Sequence, residues 1–259
     1  MRLMAILAVL AALLHTLPAR AQGGPPFFTT DPGTPGNGNW EINVGTMATR
    51  TAGTTAYQLP QLDVNYGLGD RIQLSAQVPY VLQTSSGAPQ QEGWGNALVG
   101  AKWRFIDQGG WELATFPQVQ TAGSALAQRN GIAIDGPRLL LPLEVATRVG
   151  ALDVNLEAGY YLPDKGPHER FVGLAVGSAA TARLEIDGEI YADKASGQPP
   201  NDTILDAGFR YHLQPGFILL GMAGRSVSGG AGPHTQFTGY LGVQILLSDY
   251  GRRLRRATE

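Results

Sequence analysis

The sequence predicts an all-β chain, folded as an antiparallel, up-and-down transmembrane β-barrel of about twelve strands. Three observations predict it. Polar and apolar residues alternate with a period of two through most of residues 40–247, and no segment sustains the 3.6-residue period of an amphipathic helix. The alternating runs are each about ten residues or slightly longer, the length a tilted strand needs to cross a bilayer. Their polar faces are rich in charge, which suits a wet lumen better than the solvent side of a soluble sandwich.

Residues 1–21 read as a signal peptide removed on export. Arg2 supplies a positive start, "LMAILAVLAALL" an apolar stretch, and Ala19-Arg20-Ala21 a small-residue cleavage pattern. Residues 22–39, "QGGPPFFTTDPGTPGNGN", are rich in Gly, Pro and Thr and predict an irregular segment. The sequence leaves open whether that segment lies in the periplasm or enters the lumen.

The barrel is expected over residues 40–247. The first strand, Trp40–Arg50, sets Ile42 and Val44 against Glu41 and Asn43, and the second, Ala56–Tyr66, sets Leu62, Val64 and Tyr66 against Asp63 and Asn65. Arg71–Leu82 alternates without a break from Ile72 to Val78. In Gly95–Ile106, Val99, Ala101 and Trp103 oppose Lys102 and Arg104. Trp111–Thr121 is less regular and contains Pro117. Arg138–Val149 and Leu152–Leu162 place leucines opposite Glu144, Arg148, Asp153 and Glu157. Glu169–Ser178 is a weaker run. Thr181–Ala192 then puts Arg183, Glu185, Asp187 and Glu189 on a single face, and Thr203–Leu213 puts Asp206 and Arg210 on one. Phe217–Ser226 and Thr235–Leu247 complete the set. Residues 248–259 form a basic tail with four arginines, expected in the periplasm.

The connections alternate between short turns, such as Gly67–Asp70 and Asp107–Gly110, and longer loops, such as Gln83–Trp94 and Ala122–Pro137. Barrels of the outer membrane have short periplasmic turns and long outer loops. An even strand count leaves both chain ends on the periplasmic side. Aromatics fall near strand ends, Trp40, Tyr66, Trp111 and Phe217 at one rim and Tyr80, Tyr160 and Phe237 at the other, as interfacial belts do. Prolines oppose this reading, because each removes a ladder donor. Rims or bulges accommodate Pro60 and Pro79, whereas nothing in the sequence explains Pro142 in mid-strand.

Composition excludes several functions. The chain has 19 Lys and Arg against 21 Asp and Glu, a net charge of −2, which argues against a nucleic-acid partner. It has no cysteine, so disulfides, thiolate chemistry and cysteine metal sites are absent. Acyl hydrolysis of the outer-membrane phospholipase kind would need a His with Ser two residues on. The positions after His168, His212 and His234 hold Arg170, Gln214 and Gln236 instead. The three histidines beyond the signal segment are scattered, and neither they nor the alternating Glu185, Asp187 and Glu189 match a metal-binding pattern. "GWGNALVG" and "GGAGPH" lack the phosphate-loop pattern. No catalytic residue, cofactor or metal is expected.

"TTDPGTPGNGNWEINV", "DVNYGLGDRIQLSAQVPYVL", "GWGNALVGAKWRFID", "ATFPQVQ" and "LLPLEVATRVGALDVNLEAGYY" resemble the bacterial outer-membrane barrel family labelled as meta-pathway of phenol degradation proteins, often called transporters. The likeness spans about Thr29 to Tyr161. It implies an outer-membrane location in a Gram-negative cell and the movement of small, hydrophobic or aromatic molecules. Outer-membrane barrels also end on an aromatic residue read by the barrel-insertion machinery. Here the chain runs past Leu247, and Tyr250 is the nearest candidate.

The expected partners are thus outer-membrane lipid, the insertion machinery and a small-molecule solute. The expected lumen lining is Arg71, Gln73, Lys102, Arg104, Glu144, Arg148, Asp153, Glu157, Arg183, Glu185, Asp187, Glu189, Asp206 and Arg210. So many long side chains could instead plug a narrow lumen, leaving a structural or surface-interaction barrel that conducts nothing.

Overall fold

The computed structural model describes residues 24–134, 136–196, 202–228 and 234–248. The signal segment 1–21, Tyr250 and the tail beyond Ser248 lie outside the described residues.

The strands are β1 (Trp40–Thr51), β2 (Thr54–Leu68), β3 (Ile72–Ser85), β4 (Gln91–Trp94), β5 (Leu98–Gln108), β6 (Trp111–Thr115), β7 (Gln118–Gln120), β8 (Arg138–Val149), β9 (Leu152–Pro163), β10 (Glu169–Ala179), β11 (Leu184–Ala195), β12 (Asp202–Gln214), β13 (Phe217–Ser226) and β14 (Phe237–Leu247). β4 and β5 both pair with β3, and β6 and β7 both join β5 to β8, so each of these pairs is one interrupted wall strand. The wall therefore has twelve strands, all antiparallel to their neighbours. It closes where β1 pairs with β14, from Trp40 opposite Leu247 to Arg50 opposite Phe237. Closure leaves no sheet edge with unpaired backbone groups. The one described helix, α1 (Ala125–Arg129), sits in the connection between β7 and β8. Ser124 caps it, its Oγ accepting from Ala127 N at 3.2 Å.

The two interruptions explain the prolines. Pro79 O accepts from Gly95 N at 2.9 Å, so the backbone of Pro79 faces the gap between β4 and β5. Pro142 O accepts from Thr115 Oγ1 at 2.8 Å, so Pro142 faces the gap between β6 and β7. Each proline thus puts its missing N–H where the neighbouring strand offers no regular ladder acceptor. Pro117 lies within the second gap, and Pro60 lies at the register shift between Gln58 and Gln61.

The interruptions also correct the expected boundaries. Residues 91–94, expected in a loop, are strand, and the weak run from Glu169 is a full strand of 11 residues. The turn side of the barrel carries connections of two to four residues. The loop side carries the longer ones, apart from a two-residue link between β1 and β2.

Large apolar side chains point outward around the ring. Leu74, Trp103, Leu143, Leu156, Leu174, Ile186, Leu205 and Leu241 are all exposed, Leu241 to 61%. A continuous apolar exterior of this kind is a surface for hydrocarbon, not for water. The tilted rings of Trp40 and Tyr66 lie 4.7 Å apart at the turn-side rim, and those of Tyr80 and Trp94 meet edge-on at 5.2 Å on the other. The polar faces point inward, and the lumen is not empty, because residues 24–33 enter it, while residues 34–39 run along the β2–β3 turn at the rim.

Candidate functional site

Strand alternation delivers charged side chains to the lumen at regular intervals. Gln73, Lys102, Arg104, Glu144, Glu157, Glu185, Asp187, Glu189, Asp206 and Arg210 are buried inside, with Glu144 fully inaccessible. Asp153 is half-buried near the turn-side rim, where Arg148, 47% exposed in its side chain, pairs with it at 2.7 Å. Arg71 and Arg183 lie elsewhere. They are exposed in the turns ahead of β3 and β11, because each strand starts one residue later and the alternation does not reach them.

Several inward acids face other acids. Glu144 lies opposite Glu157 across β8 and β9, and Glu189 opposite Asp206 across β11 and β12. Like charges directly opposite are destabilising. The N-terminal segment supplies donors to this excess. Glu189 accepts from Phe28 N at 3.0 Å and from Thr29 N at 2.5 Å. Thr30 N donates to Glu157 at 2.7 Å, and Thr30 Oγ1 donates to Glu144 at 2.5 Å. Lys102 is 3.2 Å from Glu144 and donates to the Asp31 carbonyl. An irregular, bent backbone is thus fastened across the lumen by wall carboxylates, charge-assisted bonds that are stronger than neutral ones.

Packing fixes the rest of the plug. Phe27 buries itself among Ile218, Leu220, Met222 and Tyr240, with Phe28 and Met47 alongside. The wall is thinned where the segment comes close. A Cβ on Gly173 would overlap Thr29 Oγ1, and one on Gly67 would overlap the Gly36 carbonyl. Phe27 to Thr29 therefore pack on the side of the lumen formed by β10–β14, and Thr30 and Asp31 reach from there to β9, β8 and β5.

Space remains beside these residues. A cavity of about 770 Å³ runs beside the plug, from Asp107–Gly110 and Arg148 at the turn side to Asn96 and Gln120 at the loop side. Its lining alternates charged groups with an aromatic patch. Tyr161 and Phe171 lie 5.3 Å apart, Phe171 and Tyr191 6.0 Å, and Phe116 sits 5.0 Å under the Lys102 ammonium.

A second cluster lies at the loop-side rim. His234 Nδ1 is 3.5 Å from Ser228 Oγ and 3.7 Å from Asp202 Oδ1. A hydrolytic relay needs one ring nitrogen on the serine and the other on the acid. Here these two contacts use the same nitrogen, and Asp202 also accepts from Ser228 Oγ at 3.1 Å and Thr235 N at 2.9 Å, bonds that fasten the loop.

The plug residues Phe27 to Asp31 are what the strand pattern missed, whereas Glu41 and Asp63 stand on its polar faces but were not among the expected lining residues. A signal for the plug exists in the sequence. Two adjacent phenylalanines interrupt a polar segment, and the wall's inward acids outnumber its inward bases, so they require donors from elsewhere.

No family model matches the chain, and no curated protein matches it by sequence. The fold is similar to that of several solved barrels. An outer membrane channel from Pseudomonas putida F1 superposes with a TM-score of 0.61 at 15% identity, over 87% of this chain and 100% of that one. The NanC porin gives 0.56 at 9% identity, over 80% and 99%. The KdgM porin, in complex with disordered oligogalacturonate, gives 0.54 at 11% identity, over 78% and 98%. At these identities the likeness is one of fold.

Proposed function

We propose that the chain is an outer-membrane channel, exported with loss of residues 1–21, that passes small molecules down the cavity beside its plug. The observation that carries this reading is the cavity's length, with lining residues at both rims. The apolar exterior fits a bilayer, and the barrels of similar fold include a channel and porins. In this reading the short turns face the periplasm. The solutes are small and at least partly apolar, because Tyr161, Phe171 and Tyr191 offer ring faces on the way through. No catalytic step is involved.

Purified protein in a planar bilayer tests the reading. Step currents support it, and fractionation with heat-modifiable gel mobility places the protein in the outer membrane. A second reading, a structural barrel that conducts nothing, draws support from the bonds that tie Phe28 to Asp31 across the lumen. Protein that inserts but never gives a current step favours that one.

A further inference from the structure

The charge lining the passage is unbalanced, and the imbalance has a sign. Seven acidic side chains and three basic ones line the cavity. Each base is already matched. Arg104 lies 2.8 Å from Glu112 and 3.3 Å from Asp107. Arg148 holds Asp153 at 2.7 Å, and Lys102 holds Glu144 at 3.2 Å.

Four lining acids remain: Asp31, Glu41, Asp63 and Glu157. Their hydrogen-bond donors are neutral. Asn43 Nδ2 bridges Glu41 at 3.2 Å and Asp63 at 3.0 Å, and Asn65 Nδ2 adds a bond to Asp63 at 3.1 Å. Glu157 receives Thr30 N at 2.7 Å, and Asp31 receives Gly33 N at 2.5 Å. The Lys102 ammonium also acts on Asp31, Asp63 and Glu157, and the Arg210 guanidinium acts on Glu41, but these two cations are shared among all four acids and Glu144. Amide donors steady a carboxylate without cancelling its field. A wall that faces hydrocarbon on its outer side concentrates that field into the passage.

We infer that the passage selects cations and neutral solutes over anions, with Glu41, Asp63 and Glu157 on the wall and Asp31 on the plug as the residues that set this selectivity. The inference rests on the channel reading above. It gives the plug a second role, because the segment that narrows the lumen also contributes one of the four charges. The ligand class that follows is a small monovalent cation or an amine bearing an apolar or aromatic body, whose charge meets the acids while its body meets the rings of Tyr161 and Phe171.

Reversal potentials across a potassium chloride gradient test this in the wild-type protein. The expected result is a potassium-to-chloride permeability ratio of about 10. The variants Glu41→Gln, Asp63→Asn and Glu157→Gln should each lower the ratio, and the triple variant should bring it near that of free diffusion. Heat-modifiable mobility shows that each variant is folded. A wild-type channel that conducts but has a zero or chloride-favouring reversal potential overturns the inference and leaves the channel reading standing. So does a folded, conducting triple variant with an unchanged ratio. Absence of any conductance overturns both.

Discussion

Glu144 and Glu157 stand directly opposite each other across the β8–β9 ladder, and one residue of the plug, Thr30, donates to both. Two carboxylates in this position would repel in an empty lumen. With the N-terminal segment in place, the same pair receives both donors of Thr30, and the repulsion is what makes the site receptive to them.

The first prediction concerns that bridge. Thr30→Val keeps the side-chain shape, removes the hydroxyl donor to Glu144 and leaves Thr30's backbone bond to Glu157 intact. The docking of the plug should weaken by ~1.5–3 kcal/mol, the usual contribution of a hydrogen bond to a charged group. Hydrogen exchange should speed up in residues 27–31, while the amides of β8 and β9 keep their protection. Equal acceleration in strands and plug would show that the two are one cooperative unit.

A bulkier wall should expel the plug. Gly173 has no room for a Cβ beside Thr29, so Gly173→Val should displace the segment and enlarge the passage. The expected readout is a larger single-channel conductance, with the folded barrel's gel mobility retained. An unchanged conductance would mean that the segment shifts locally and stays seated.

The outward face yields a third prediction. Leu156 lies midway along β9 and Leu152 at its turn-side end, both exposed on the same face. Arginine at Leu156 should destabilise the barrel in lipid vesicles by ~2–4 kcal/mol, and arginine at Leu152 by ~0–1 kcal/mol, since the effect falls off towards the interface. Equal losses in urea titrations would deny that hydrocarbon surrounds mid-strand.

A fourth contrast is between two neighbours on β8. Pro142→Ala should change stability by no more than about 1–3 kcal/mol, the range for a newly exposed amide without an acceptor, because Pro142 faces the β6–β7 gap. Leu143 pairs with Thr115 on one side and Ala158 on the other. Leu143→Pro therefore deletes a donor that has a ladder partner, whichever neighbour it faces. It should cost several kcal/mol within a bilayer and reduce the yield of folded barrel.

The wall was largely legible in the sequence. Ile72, Leu74, Val99 and Trp103 alternate with Gln73, Lys102 and Arg104, and that local period places one set outside and the other inside. Irregularities were legible only as discomfort. Pro142 looked wrong because its neighbour across the ladder is 27 residues away in the chain, and the gap it faces is created by Phe116 and Pro117. Arg71 and Arg183 were misplaced because alternation has no marker for where a strand begins.

The lining of the passage was less legible than the wall. Alternation says that Glu157, Asp63 and Glu41 face inward, but not which of them meet a base. Pairing depends on which strands lie across the lumen, and Lys102 of β5 reaches Glu144 of β8 over the intervening strand.

What the sequence by itself determined, then, was a closed antiparallel wall with an apolar outside and a charged inside. A strand's faces follow from neighbouring residues alone, and backbone pairing in a bilayer permits few other closures. Only the tertiary structure decided that residues 24–33 enter the lumen, that Phe27 to Thr29 pack on the β10–β14 side, and that a cavity with an acidic lining remains beside them. These outcomes depend on contacts such as Thr29 with Glu189, 160 residues apart. No local period encodes the meeting of such distant groups, which becomes favourable only after the wall has formed and gathered its carboxylates into one enclosed space.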